Sequence, residues 1–190
     1  MRDLTAEKCR VRREMIALRR AVPETVRLEK SAAIAERVLC SKDWQDAKTV
    51  FLYVGTGWEV DTCPLILAAF AAGKQVAVPL CGMEGTMTAH RIVSLSELRP
   101  GAYGIPEPDP NAPLLLPEET DLAVIPAVCY DRMGYRLGRG GGYYDRYCPK
   151  VRGVRMGLMF TDFILDAVPR EAHDCRVDQM ITEEGEILWA

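Results

Sequence analysis

"KTVFLYVGTGWEVDTCPLILAAFAAGKQVAVPL", residues 48–80, sets the architecture. Residues 48–54 are a compact β-branched and aromatic run and read as a buried strand. The apolar stretch "CPLILAAFAAG" follows, with Asp61 placed to cap a helix and Gly73 placed to stop it. "QVAVPL" is then a second strand. Strand, helix and strand in this order predict a parallel pair joined by a crossover.

The same alternation extends outward. Residues of about 3–20 predict an amphipathic helix whose stripe is Leu4, Val11, Met15 and Leu18. Pro23 restarts a second helix, with Val26, Ile34, Val38 and Leu39 recurring. "MTAHRIV" alternates as a third strand, and "DLAVIPAVCYD" reads as one further strand. Between them "RPGAYGIPEPDPNAP" is dense in Pro and Gly and is a candidate lid. A helix is expected to start near Tyr143. "RMGLMF", a short helix and "EILW" complete the pattern. The expectation is an α/β fold, three layers α/β/α with a mostly parallel sheet, in one domain over residues 1–190. The order of the strands is not readable from this pattern.

Composition excludes several classes. Of the 190 residues, 48% are hydrophobic and 27% charged, which is typical of a globular chain. A net charge of -3 argues against a general nucleic-acid binder. No apolar run is long enough for a membrane span. The seven cysteines are scattered, with no CxxC pair, and the only histidines are His90 and His173. A zinc site or a disulfide framework is not expected, and a reducing cytoplasm is. Asp3, Glu7 and Glu14 interrupt the basic N-terminus, so it does not read as a transit peptide.

"YRLGRGGGYYDRY", residues 135–147, carries the chemistry. It is neither a Walker A loop nor a dinucleotide fingerprint, because the required Lys-Ser/Thr pair and the third glycine are missing. Its glycines still let backbone N–H groups approach a ligand closely and form an anion-binding concavity. A helix starting near Tyr143 would point its positive end at the same place. Arg136 and Arg139 add forked donors for phosphate or carboxylate. The alternative is a plain flexible turn with solvated arginines. A turn does not need Gly138, Gly140, Gly141 and Gly142 together with five of the chain's seven tyrosines nearby.

Other pieces are weaker. Lys8, Arg12 and Arg19 share one flank of the first helix, either as a polyphosphate clamp or as side chains snorkelling at a helix boundary. Glu59 lies on a loop after a strand and could accept bonds from an N–H-rich ring. Asp61 reads better as a cap than as a ligand. Trp58 either stacks on a flat ligand or covers the core. Asp145, Asp174 and Asp178 are candidates for a Mg²⁺ site, since magnesium takes few carboxylates and fills its shell with phosphates and water. His173 beside Asp174 is only a faint metal motif.

"VIPAVCYDRMGYRLGRGGGYYDRY" resembles the signature of the 5-formyltetrahydrofolate cyclo-ligases, also called methenyltetrahydrofolate synthetases. "KCRVR", "EVDT", "YGIPEP" and "HDCRVD" follow the same order, so the resemblance spans nearly the whole chain. It implies a fold similar to the NagB/RpiA/CoA-transferase group. It also implies ATP- and Mg²⁺-dependent conversion of 5-formyltetrahydrofolate to 5,10-methenyltetrahydrofolate, with release of ADP and phosphate. By position, Lys8 and Arg12 match the basic pair at the ATP phosphates. Arg136, Leu137, Gly138, Arg139, Gly140, Gly141, Gly142, Tyr143 and Tyr144 match the nucleotide loop. The part from Arg139 to Tyr143 also lines the folate side, with Arg139 and Tyr143 expected to serve catalysis. Val54 and Glu59 match folate-lining positions, Glu59 as the pterin-binding acid. Asp145 and Asp174 match the magnesium carboxylates. Some relatives carry lysine where this chain has Gly141, which leaves open how the folate's glutamate tail is held. The partner expected is this small molecule alone, with no nucleic acid and no membrane, on a cytoplasmic monomer. Two alternatives are a non-catalytic nucleotide or folate sensor and an enzyme of the same fold group acting on a sugar phosphate or CoA ester. A third is an interaction protein with a charged docking loop.

Overall fold

In the computed structural model, which describes residues 3–101, 104–171 and 174–189, helix α1 (Leu4–Arg20) comes first. The Asp3 carboxylate accepts the N–H groups of Thr5 and Ala6 at 3.0 and 3.3 Å. It thereby satisfies donors that a helix start leaves open. Pro23 precedes α2 (Glu24–Cys40), as its fixed φ favours. A short α3 (Lys42–Asp46), which the hydropathy pattern did not announce, leads into β1 (Thr49–Leu52). Helix α4 (Cys63–Ala71) begins where the expected apolar stretch does, with Thr62 at its N-cap position. Asp61 still accepts the Cys63 N–H at 3.0 Å, so its capping role stands. Gly73, at φ +68, ends the turn that follows α4.

Next come β2 (Gln75–Cys81) and β3 (Met87–Ile92). The Pro/Gly-rich segment folds into a small hairpin of β4 (Arg99–Pro100) and β5 (Pro106–Glu107), with β6 (Leu114–Leu115) after it. Ala102, Tyr103 and His173 lie outside the described residues. "DLAVIPAVCYD" is two strands rather than one. β7 (Leu122–Ile125) belongs to the main sheet and β8 (Cys129–Asp131) to a second one. Pro126, which has no N–H to give a ladder, stands at the break. β9 (Arg136–Leu137) pairs with β8, then α5 (Tyr143–Tyr147) and β10 (Val154–Leu158) follow. β11 (Ile164–Leu165) joins the second sheet, while β12 (Gln179–Ile181) and β13 (Glu186–Ile187) close the main one.

The main sheet has the order β13-β12-β10-β7-β1-β2-β3-β6. The neighbours from β12 through to β2 are all parallel, and the pairs outside them are antiparallel. The fold is therefore α/β with a mostly parallel sheet, as expected. β1 lies between β7 and β2, with Phe51 opposite both Ala123 and Ala77. A strand buried on both faces is a continuous apolar run, and Val50, Phe51 and Leu52 have no exposed surface. Tyr130 ties the two sheets together. Its hydroxyl donates to the Ile125 carbonyl at 2.7 Å, and its ring lies over Gly157, where a Cβ would come within 2.8 Å of it.

The stripe on α1 departs from expectation at its end. Val11 and Met15 are buried, but Leu18 is 51% exposed and Arg19 only 2%. The Arg19 guanidinium donates to the carbonyls of Ala127 (2.8 Å), Val128 (2.9 Å) and Trp58 (3.3 Å), and lies 4.8 Å from the Trp58 ring centroid. Burial lowers its pKa, opposed by nearby Tyr53 and Glu59. Arg19 is thus the peg that fastens α1 to the loops after β1 and β7, and it is no part of a phosphate clamp. Replacing it by methionine keeps most of the bulk and strands those carbonyls. Arg19→Met is expected to lose about 3 kcal/mol of unfolding free energy in urea titrations. A loss below about 0.5 kcal/mol, the scale of an ordinary surface substitution, would refute this role.

Candidate functional site

The carboxyl ends of β1, β2 and β7 open on a cavity of about 600 Å³. Ligands of open α/β sheets sit beyond the carboxyl ends of the strands. Tyr53 and Val54 continue β1 into the wall, Pro79 and Cys81 come from β2, and Pro126 and Ala127 continue β7. Helix α1 brings Thr5, Lys8, Cys9 and Arg12, a spacing that puts all of them on one helical face. Glu59, residues 136–145, Glu171 and Asp174 complete most of the rest. The residues for which the sequence suggested ligand contact, from Lys8 to Asp174, therefore line one cavity, except Arg19, Asp178 and Trp58, the last of which packs against the core.

Asp178 is the second correction. It forms an ion pair with Arg155, with the guanidinium Nε at 2.8 Å, and faces a separate recess beside Asp43 and Asp121. Burial pushes its pKa up, but the bonds from Arg155 outweigh this and hold it below the usual carboxylate range. Asp178 ties β10 to the segment before β12.

The glycine-rich run is delivered by the second, smaller sheet. It does not leave the parallel sheet directly, because the β8–β9 hairpin intervenes. Asp131 shapes that hairpin: its buried carboxylate accepts the N–H groups of Met133 (2.9 Å), Tyr135 (3.0 Å) and Val168 (3.2 Å). After Leu137 the chain turns through Gly140 at φ +102 and Gly142 at φ +69, conformations that suit glycine. A Cβ at Gly141 would lie 2.5 Å from the Tyr143 ring. α5 spans only five residues, so its dipole adds less than a long helix would.

Arginines hold this run from several sides. Arg12 Nε donates to the Gly138 carbonyl at 2.7 Å. Arg139 reaches across the cavity to Glu59 Oε1 at 2.9 Å and lies 4.7 Å from the Trp58 ring centroid. The other Glu59 oxygen accepts the Thr56 N–H and hydroxyl, both at 3.1 Å. Arg136 is buried. Its fork is turned to Asp145 Oδ1 at 2.7 Å, with its guanidinium 5.4 Å from the Tyr144 ring centroid. Across the cavity Lys8 pairs with Asp174 (2.6 Å) and Glu171 (2.9 Å). Burial lowers the Lys8 pKa, yet these two carboxylates raise it by more, so the ammonium stays charged.

The chemistry available is ionic. Burial pushes the Cys81 thiol up to about 11, with Glu107 adding to the effect, so it is not a nucleophile at neutral pH. No histidine is among the described residues of the wall. Among the described residues no three His, Cys, Asp or Glu side chains come together as a metal cage. What remains is a set of cations, the carboxylates paired with them and a glycine-rich backbone around one space. Sequence reasoning missed Thr56, Glu107 and Glu171. Only "GTGWEVDT" and "YGIPEP" hinted at the first two, and Glu171 carried no pattern.

Residues 4–183 match the profile of the 5-formyltetrahydrofolate cyclo-ligase family. The chain is 33% identical over 177 residues to 5-formyltetrahydrofolate cyclo-ligase of Escherichia coli K12, covering 90% of this chain and 97% of that one. It is 30% identical over 192 residues to the Mycolicibacterium smegmatis cyclo-ligase, covering 95% and 96%. Among solved structures, the Aquifex aeolicus 5,10-methenyltetrahydrofolate synthetase superposes with a TM-score of 0.84 at 30% identity, over 94% of this chain and 91% of that one. A synthetase from Mycoplasma pneumoniae, 19% identical, shares the fold with a TM-score of 0.76. The match runs through the glycine-rich signature and through both chain segments that face it across the cavity, and on these grounds the chain belongs to the 5-formyltetrahydrofolate cyclo-ligase family of enzymes.

Proposed function

We propose that residues 1–190 act as one catalytic unit that converts 5-formyltetrahydrofolate to 5,10-methenyltetrahydrofolate, with ATP as co-substrate and release of ADP and phosphate. One observation carries this reading: Arg139, from the glycine-rich run, touches Glu59 on the opposite wall at 2.9 Å. A loop suited to phosphate and an acid suited to a pterin therefore border the same space.

The residues fit the co-substrate. Gly138 and Gly140–Gly142 leave the backbone bare, and a Cβ at Gly140 would stand only 3.5 Å from the Arg12 guanidinium, inside the cradle. Lys8, Arg12 and Arg139 supply positive charge for phosphate oxygens. Arg136 acts from behind, through Asp145. Asp145 and Asp174 would hold Mg²⁺, whose remaining ligands are then phosphate and water. Bound there, the ion would neutralise charge on the transferring phosphoryl group. Glu59 accepts N–H bonds from the pterin, Val54 borders the ring, and Pro79, Met87 and Ile105 give it an apolar wall. Tyr143 closes over the ligand from the end of the loop.

These side chains position and neutralise rather than form bonds. The formyl oxygen attacks the γ-phosphorus as the bond to ADP breaks. N10 then attacks the formyl carbon, the carbon–oxygen bond breaks with phosphate leaving, and N10 gives up its proton. Alignment and charge stabilisation are what the cavity contributes. The reading also places the enzyme in the cytoplasm as a monomer. Seven free thiols suit a reducing compartment, and the cavity is built within one chain. No helix among the described residues is long and apolar enough to cross a membrane.

The test is the near-ultraviolet absorbance of the methenyl product, followed with purified protein, MgATP and 5-formyltetrahydrofolate. Product is expected with ATP and none without it, and product at equal rate in both would refute the proposal. Arg139→Ala is expected to lower kcat by about 10²-fold, and near-normal turnover would remove Arg139 from the reaction. Glu59→Gln is expected to raise KM for folate more than KM for ATP, and an equal rise in both would contradict its place at the pterin.

A further inference from the structure

We propose that Arg146, which no part of the mechanism uses, is the positioning residue that fixes the glycine-rich run for nucleotide; this rests on the functional reading above. Arg146 is exposed and does not line the cavity. Its NH1 donates to two carbonyls, Gly141 and Gly85, both at 3.1 Å. Gly85 belongs to the β2–β3 turn, remote in sequence from Gly141. One guanidinium thus staples the far end of the run to the main sheet.

Three features make this more than a surface contact. The fit around it is close: a Cβ at Gly142 would lie 2.8 Å from Arg146 NH1, and one at Gly85 would lie 2.6 Å from the Gly141 carbonyl oxygen. Both glycines have positive φ, +73 at Gly85 and +69 at Gly142, so the backbone bends to let the guanidinium in. Next, the other two arginine contacts to this run, from Arg12 and by Arg139, come from side chains that a ligand would engage. Arg146 alone of the three stands outside the cavity, so its bonds persist when ligand binds. Finally, a trans peptide points its C=O and N–H in opposite directions. The Gly141 carbonyl turned outward to Arg146 leaves the Gly142 N–H turned the other way, toward the cavity that Gly141 and Gly142 line. An anion cradle needs that orientation. A run this rich in glycine has much conformational freedom to lose, so an external staple matters more here than on a stiffer loop.

The experiment has a ligand-free arm and a binding arm. Trypsin can cut after Arg139, and the rate of appearance of fragment 1–139 measures how often the run opens. Arg146→Ala is expected to speed that cut about 10-fold while Tm changes by less than about 3 °C, since the side chain is exposed. Its Kd for the MgATP analogue AMP-PNP should rise by about 5- to 10-fold, as loss of a charged hydrogen bond would produce. Its Kd for 5-formyltetrahydrofolate should stay within about twofold, and Arg146→Lys should recover part of the nucleotide affinity. Cutting and AMP-PNP affinity both within about twofold of the parent would overturn the staple. Equal weakening of both ligands would mean a merely structural role and would overturn it as well. Failure of the unsubstituted protein to bind AMP-PNP would instead overturn the functional reading, and the cutting arm would still decide whether Arg146 holds the run.

Discussion

A backbone without side chains cannot hold its own shape, and residues 138–142 are nearly that. Only Arg139 projects from the run. Its conformation depends on guanidinium groups that grip its carbonyls or extend from it: Arg12 at Gly138, Arg146 at Gly141, and Arg139 across to Glu59. The fold supplies the rigid parts behind these groups. Asp131 sets the hairpin that delivers the run, and Arg19 fastens α1 so that Lys8 and Arg12 face it. Stability and site are linked through these anchors, because a shift of α1 would move two cations at once.

In this state the charges of the cavity neutralise one another. Lys8 sits with Asp174 and Glu171, Arg139 with Glu59, and Arg136 with Asp145. Buried or half-buried ions need such partners. A polyphosphate with a divalent cation would exchange these pairs rather than create charge in a dry space: anion replaces carboxylate at Lys8 and Arg139, and the released acids turn to the metal or to ring N–H groups. The same set of residues then serves both states, which accounts for a cavity lined by many ions and few hydrogen-bonding neutral side chains.

Much of this was legible in the chain. Continuous apolar runs marked β1 and β2, and the glycine run was visible as a site because nothing in a core requires it. Other features hid for identifiable reasons. Pro126 splits one apolar stretch between two sheets, and a window of hydropathy cannot see which sheet takes which half. Arg19 and Leu18 exchange places because the acceptors for Arg19, the carbonyls of Trp58, Ala127 and Val128, are distant in sequence. Asp174 and Asp178 are four residues apart in one motif, yet the chain between them is pinned by a bridge from Arg176 to Tyr135, and one meets Lys8 while the other, next to β12, meets Arg155. Short two-residue strands such as β4 and β9 carry too little pattern to be read at all.

The central claim is that the bare amides at 138–142 face a triphosphate while Glu59, across the same cavity, faces the folate. Two-dimensional NMR of ¹⁵N-labelled protein, titrated first with MgAMP-PNP and then with 5-formyltetrahydrofolate, tests it most directly. The amide signals of Gly138 and Gly140–Gly142 should move on the first addition, and those of Thr56 and Glu59 chiefly on the second. Glycine signals that stay still while nucleotide shifts residues elsewhere would contradict the account.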